Sequence, residues 1–171
     1  MIERHIRDVP DFPKPGIVFK DITPLLQDPT ALRGALDALQ SAVSEHEFDL
    51  VCGIESRGFL FGTSLAERMG KGFVPVRKPG KLPWKTAAES YELEYGTDTL
   101  EIHQDACPDG ARVLLVDDLL ATGGTMRAAL NLVNKVGGTP VACAFVIELG
   151  FLAGREKLDG TPVHSLIRYE G

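Results

Sequence analysis

Apolar positions along this chain recur in two rhythms. Leu32, Leu36, Leu39 and Val43 fall three or four residues apart, which places them on one face of a helix. Asp28 and Pro29 precede them as an N-cap and a first helical position, so the spacing predicts a helix from there to about Glu47. Elsewhere the apolar residues form short unbroken runs: DLVCGI, FVPVRK, RVLLV, PVACAFVIEL and PVHSLI each read as a strand. Between these runs Phe59–Met69 is predicted to be a helix closed by Gly70. Thr125–Val136 is predicted to be another, ended by Gly137 and Gly138, and a short helix is expected near Gly154–Leu158. Residues 79–90 read as a polar loop, flanked by extended pieces around Tyr91–Tyr95 and Leu100–His103. Pro10, Pro13, Pro15 and Pro24 break the first 27 residues too often for a long regular element. There is no internal repeat and no low-complexity tract.

Strands alternating with helices predict an α/β fold with an open, mostly parallel sheet flanked by helices. The 171 residues suit a single domain, 1–171. Ligands of such sheets bind beyond the carboxyl ends of the strands. That rule places three segments on one rim: ESRG after DLVCGI, RKPGK after FVPV, and DDLLATGGT after RVLLV.

Composition narrows the partners. At 44% apolar and 25% charged, the chain has an ordinary globular make-up. A net charge of −6 disfavours a nucleic-acid surface while leaving room for a small anion at a local basic cluster such as Arg77, Lys78 and Lys81. No apolar run approaches the roughly 20 residues that span a bilayer, and the opening MIERHIRDVPDFPKPG has no signal-peptide core. We therefore expect no membrane partner. Cys52, Cys107 and Cys143 are widely spaced, and no CxxC or Cys/His cluster suggests zinc; a reducing cytoplasm is the expected setting.

The stretch VLLVDDLLATGGT carries the most chemistry. Gly123 and Gly124 permit a tight turn and close backbone approach just before a helix. Successive N–H groups there form an anion cradle, and Thr122 and Thr125 add hydroxyl donors. This suits a phosphate monoester. Asp117 and Asp118 would repel that phosphate and so must face something else: the two hydroxyls of a ribose, or a divalent cation held through water. Phosphate on the amides and sugar hydroxyls on the carboxylates together describe a ribose 5-phosphate site. The P-loop GxxxxGK[ST] and the dinucleotide fingerprint GxGxxG are both absent.

The same stretch resembles the phosphoribosyl diphosphate signature of type I phosphoribosyltransferases. PDFPKPGIVFKDITPLL, IESRGFLFG, VRKPGKLP, SYELEYG and GREKL are similar, in order, to segments of the adenine phosphoribosyltransferase family. The resemblance implies the reaction of adenine with phosphoribosyl diphosphate to AMP and pyrophosphate, dependence on Mg²⁺, and a homodimer. It also implies a type I phosphoribosyltransferase fold with a small hood built partly from residues 1–27, and a flexible catalytic loop over 79–95.

Roles follow from the resemblance residue by residue. Asp117, Asp118, Ala121, Thr122, Gly123, Gly124 and Thr125 would bind the phosphoribosyl group. Glu55, Ser56, Arg57 and Gly58, with Arg77, Lys78 and Lys81, would bind pyrophosphate, one or more of the basic residues reaching across the dimer. A non-proline cis peptide would fall at Glu55–Ser56. Val18, Phe19 and Lys20 would bind adenine, Phe19 by stacking. Glu94, directly before Tyr-Gly, would be the catalytic acid/base on the closing loop. Glu92 shares its face in an extended segment, so alternation alone does not separate the two. No direct protein ligand to the metal is assigned; Asp117 and Asp118 would act through water. The competing readings are an enzyme for hypoxanthine, guanine or xanthine, against which VFKD and ELEYG argue, a non-catalytic sensor of phosphoribosyl diphosphate, which would need a DNA-binding module, and a catalytically weakened relative, which no motif favours.

Overall fold

A computed structural model describes residues 1–93 and 95–171, and the chain divides into two compact units, Met1–Ala38 and Leu39–Gly171. The boundary falls inside one helix, so each unit is described by itself.

The first unit opens with a 3₁₀ turn at Glu3–His5 and then a hairpin of β1 (Arg7–Pro10) and β2 (Val18–Asp21), with Arg7 opposite Asp21 and Pro10 opposite Val18. The proline-rich opening thus holds two short strands that periodicity does not reveal, because four residues are too few to show alternation. Their connection has a cis Phe12–Pro13 bond and left-handed Asp11 and Gly16. Asp11 accepts the Gly16 N–H at 2.8 Å, which closes the loop. A short helix α1 (Thr23–Gln27) follows; Asp21 accepts the Thr23 N–H at 2.9 Å. Helix α2 (Pro29–Ala42) begins as predicted, with Asp28 accepting the N–H groups of Thr30 and Ala31 at 2.9 and 2.8 Å. It stops at Ala42, short of the expected Glu47. Past that point the Ser44 hydroxyl donates to the Ser41 carbonyl, and such local bonding competes with helix continuation.

The second unit contains a five-stranded parallel sheet in the order β4–β3–β7–β8–β9. These strands are β3 (Leu50–Ile54), β4 (Gly72–Val76), β7 (Arg112–Leu120), β8 (Thr139–Leu149) and β9 (Val163–Tyr169). Pro75 lies in β4, at the edge of the sheet, where a missing N–H is tolerated. The strands read as continuous apolar runs because both faces are covered. Helix α3 (Arg57–Arg68) packs on β3 and β7, burying Phe61 and Leu65. Cys52, Leu115, Cys143 and Phe145 belong to the opposite core, where they meet α4 (Gly124–Lys135) through Met126, Ala129 and Val133, and β6 (Thr97–His103) through Leu100 and Ile102.

One expected loop is partly a strand. Residues Thr86–Glu92 form β5, paired antiparallel with β6 from Thr86 opposite His103 to Glu92 opposite Thr97. Ala87, Glu89 and Tyr91 share the half-buried side. The inward Glu89 is polar because it meets Lys135 at 2.9 Å and Asn131 at 3.2 Å on α4. A charged residue on the inner face hides the two-residue period, so this segment read as polar loop.

Candidate functional site

Strand β7 does not end where its apolar run ends. Its pairing with β3 stops at Val116, opposite Gly53, while its pairing with β8 continues through Asp117 opposite Phe145 to Leu120 opposite Glu148. Residues 117–120 are therefore held in extended form along one edge and released along the other. The two carboxylates sit on this half-released end. Asp118 is nearly buried, at 6% exposure, and accepts from Arg57 Nε at 2.5 Å. Asp117 accepts the Asp118 N–H at 2.9 Å. Burial, then the neighbouring Asp118 charge, pushes the Asp117 pKa well above the usual carboxylate range; Arg57 opposes the shift.

Arg57 is carried by the turn after β3. The Glu55–Ser56 peptide is cis, as the resemblance implies, and α3 starts at Arg57 with no side-chain cap on its first N–H groups. Gly58 lets that helix start lie against β7: a Cβ there would sit 2.8 Å from Asp117 Oδ1 and 3.1 Å from the Val116 carbonyl.

The start of α4 faces the same space. Its N-cap is Gly123 at φ +90°, which supplies no side-chain cap to the first N–H groups of the helix. Orphan amides and the positive end of the helix dipole make an anion cradle. A Cβ on Gly123 would collide with the Gly154 carbonyl, and one on Gly154 would lie 2.5 Å from the Ala121 carbonyl, so the two backbones are in direct contact.

The basic segment is organised by Glu55. Its carboxylate accepts the Lys78 N–H at 2.8 Å, Arg77 Nε at 3.2 Å and Lys81 Nζ at 2.9 Å. Burial works to raise its pKa, but the Lys78 and Lys81 hydrogen bonds outweigh burial and lower it. Lys78 forms an ion pair with Asp98, which also accepts the Tyr91 hydroxyl at 3.3 Å, and Tyr91 in turn accepts from Thr125 at 3.3 Å.

Together these elements enclose a cleft of about 420 Å³. Glu55, Ser56, Arg57, Lys78, Asp117, Asp118 and the whole of Ala121–Thr125 line it. Gly58, packed against Asp117, is not part of the lining, and Arg77 and Lys81 are held on Glu55 outside it. Tyr91 lines the cleft and was not singled out from sequence, although SYELEYG had been. Ile54, Leu100 and Met126 add an apolar patch; the sequence reading placed them only in a strand, an extended piece and a helix. Val18, Phe19 and Lys20 lie on β2 in the first unit. There Phe19 meets Phe12 edge-on at 5.2 Å, and Lys20 pairs with Asp8 at 2.7 Å. Glu94 lies outside the described residues.

Among the described residues no cluster of three His, Cys, Asp or Glu side chains could hold a metal. The donor set still fits Mg²⁺, which is commonly bound through one or two carboxylates plus water and substrate phosphates rather than by an all-protein cage. Asp117 and Asp118 are the two carboxylates available for that. No helix among the described residues is long and apolar enough to cross a membrane.

Comparison with known proteins agrees with this geometry. Residues 22–165 match the phosphoribosyl transferase domain family. An adenine phosphoribosyltransferase of Thermobifida fusca is 59% identical over 166 residues, 97% of this chain and 94% of that protein. The crystal structure of adenine phosphoribosyltransferase from Thermoanaerobacter pseudethanolicus superimposes with a TM-score of 0.96 at 56% identity, covering 98% of each chain. The Saccharomyces cerevisiae enzyme, solved with adenine and an imino-altritol bisphosphate, superimposes with a TM-score of 0.91 at 44% identity over 96% of each chain. A shared parallel sheet, the ATGGT cradle beside paired carboxylates and these identities lead to one conclusion: the chain belongs to the phosphoribosyl transferase domain family, among the adenine phosphoribosyltransferases.

Proposed function

We infer that this chain transfers the 5-phosphoribosyl group of phosphoribosyl diphosphate to adenine, giving AMP and pyrophosphate. The observation that carries this reading is the cleft itself, where an uncapped helix N-terminus, two carboxylates and Arg57 face one another. The 5-phosphate sits on the amides and hydroxyls of Thr122–Thr125. Asp117 and Asp118 accept from the ribose hydroxyls. Pyrophosphate lies toward Arg57, Lys78 and the N–H groups of Ser56 and Gly58. As the C1–O bond breaks, the sugar gains positive charge and pyrophosphate departs with the electron pair. Fixed cationic groups stabilise the departing anion, and the acidic pair faces the cationic sugar. Adenine N9 forms the new bond to C1, and the base loses one proton overall. Asp117 and Asp118 are the carboxylates that would hold Mg²⁺ through water, and the ion would supply further charge neutralisation.

Val18, Phe19 and Lys20 take the base in this proposal, Phe19 by stacking. The adenine bound to the yeast relative supports the choice of base. Glu94 exchanges the proton at the purine. A homodimer and a cytoplasmic setting belong to the same proposal; the resemblance supports the first, and three buried free thiols are compatible with the second.

Incubation with Mg²⁺, phosphoribosyl diphosphate and each purine base in turn tests the reading. AMP from adenine is expected, with far slower turnover of hypoxanthine and guanine, because a buried site that pairs with one edge pattern leaves unpaired groups with the other. Comparable rates with all three bases would overturn the substrate assignment. The same assay on Glu94→Gln is expected to show kcat lowered by about 10²-fold, with KM little changed. An unaltered kcat where chemistry limits the rate removes Glu94 from the role.

A further inference from the structure

Glu148 is charged yet only 2% exposed, and nothing in the proposed reaction uses it. It sits near the end of β8, opposite Leu120, the last residue of β7. Its carboxylate is fully engaged. Arg155 forks onto both oxygens, Nε at 2.6 Å and Nη2 at 2.8 Å; Arg168 Nη1 donates at 3.1 Å and the Ser165 hydroxyl at 2.6 Å. Arg155 also donates to the Val163 carbonyl at 3.1 Å. A planar fork on a desolvated carboxylate fixes direction as well as distance.

Arg155 belongs to the 3₁₀ turn Gly154–Leu158, whose flanking residues Ala153 and Asp159 are both left-handed. The turn is pinned at its other end by α4: Arg127 donates to the Lys157 carbonyl at 3.2 Å and pairs with Asp159. Between these anchors Gly154 and Leu158 are buried, and the Gly154 backbone abuts Gly123 and Ala121. The turn thus forms the back wall of the 121–125 loop. The N-cap Gly123 supplies no side-chain hydrogen bond to the start of α4, and this wall backs the loop that carries those amides.

We propose that the Glu148–Arg155 pair is a positioning device for the 5-phosphate cradle, holding residues 154–158 against the 121–125 loop. The proposal rests on the reading of that loop as the phosphoribosyl subsite. Arg155 touches no substrate; it acts through Gly154 and Gly123. Loosening it should harm the phosphate on the cradle and spare the pyrophosphate on the Ser56–Gly58 turn, which different strands carry.

Binding of ribose 5-phosphate and of pyrophosphate, each measured by calorimetry with Mg²⁺ on wild type, Arg155→Ala and Arg155→Lys, tests this. Arg155→Ala is expected to weaken ribose 5-phosphate at least tenfold and pyrophosphate less than twofold. KM for phosphoribosyl diphosphate should rise while KM for adenine holds, and Arg155→Lys should recover part of the loss. Equal ribose 5-phosphate affinity in folded Arg155→Ala overturns the proposal, as does a parallel loss of both ligands and of adenine. If the alanine variant does not fold, Arg155→Lys is read in its place: a selective loss of threefold or more supports the device, and none overturns it. Wild type that binds no ribose 5-phosphate instead removes the reading of the cradle, and the proposal with it.

Discussion

Asp117 and Asp118 are adjacent carboxylates with different surroundings. Asp118 is matched to Arg57, whereas Asp117 is disfavoured as an anion by burial and by its neighbour's charge. Asp118→Asn keeps the shape but loses the anion that orients Arg57. The guanidinium is about half exposed, so the pair contributes about 0–1 kcal/mol to stability, and its loss should leave the protein folded. We expect the cost in substrate use instead: KM for phosphoribosyl diphosphate up about tenfold, worth about 1.4 kcal/mol. Steady-state kinetics beside a thermal melt check this, and an unchanged KM in a folded variant would reduce Asp118 to a loop cap. Phe12 is a lesson at the same scale. It packs edge-on with Phe19, yet only the hairpin pairing that brings residues 7–10 beside 18–21 makes that contact visible.

Among the elements, the turn before α4 depends on two backbones touching. Gly123 and Gly137 have nearly the same left-handed φ, +90° and +92°, but a Cβ at Gly137 would have its nearest neighbour 3.7 Å away. The pair therefore separates strain from close approach. Gly137→Ala should lose about 1–2 kcal/mol, the cost of a left-handed residue with a Cβ, and keep its activity. Gly123→Ala should lose more and raise KM for phosphoribosyl diphosphate, because the loop must move off Gly154. Matched melts and kinetics of the two variants decide this; similar behaviour would mean that the contact with Gly154 does not matter.

The whole molecule carries a pH dependence at a histidine pair outside the cleft lining. His46 and His164 meet Nε2 to Nε2 at 2.7 Å, which needs one ring as donor and the other as acceptor; two protonated rings cannot keep this bond. Burial first, then the charges of His46 and Arg155, lower the His164 pKa from 6.5, with Glu45 opposing. A depressed folded pKa means that the unfolded chain binds the proton more readily. Stability is therefore full above about pH 6.5 and is lost as pH falls through the lower folded value. We expect Tm to fall between pH 7.5 and 5, and the fall to be shallower in His164→Gln. Parallel Tm curves for the two proteins would exclude the pair as the source.

Much of this was legible without coordinates. The parallel sheet was, because strands buried on both faces are continuous apolar runs that need no partner to be recognised. So were the Asp28 cap and the glycine turn at the start of α4, because local chemistry alone dictates them: a carboxylate before a helix, glycines and hydroxyls at a helix start. The rim followed from the order of strands and helices. Tertiary structure decided what depends on residues distant in the chain. Strand β5 is one case, since its inward Glu89 makes sense only beside Lys135 and Asn131. The true end of β7 is another, since Asp117 to Leu120 stay extended only because β8 continues past the point where β3 stops. Tyr91 entered the cleft through the pairing of β5 with β6, and Glu148 became a buried anchor only when Arg155, Ser165 and Arg168 converged on it. Residue type and spacing encode short-range capping and burial; a charge on an inner face is explained only by the partner that folding brings to it.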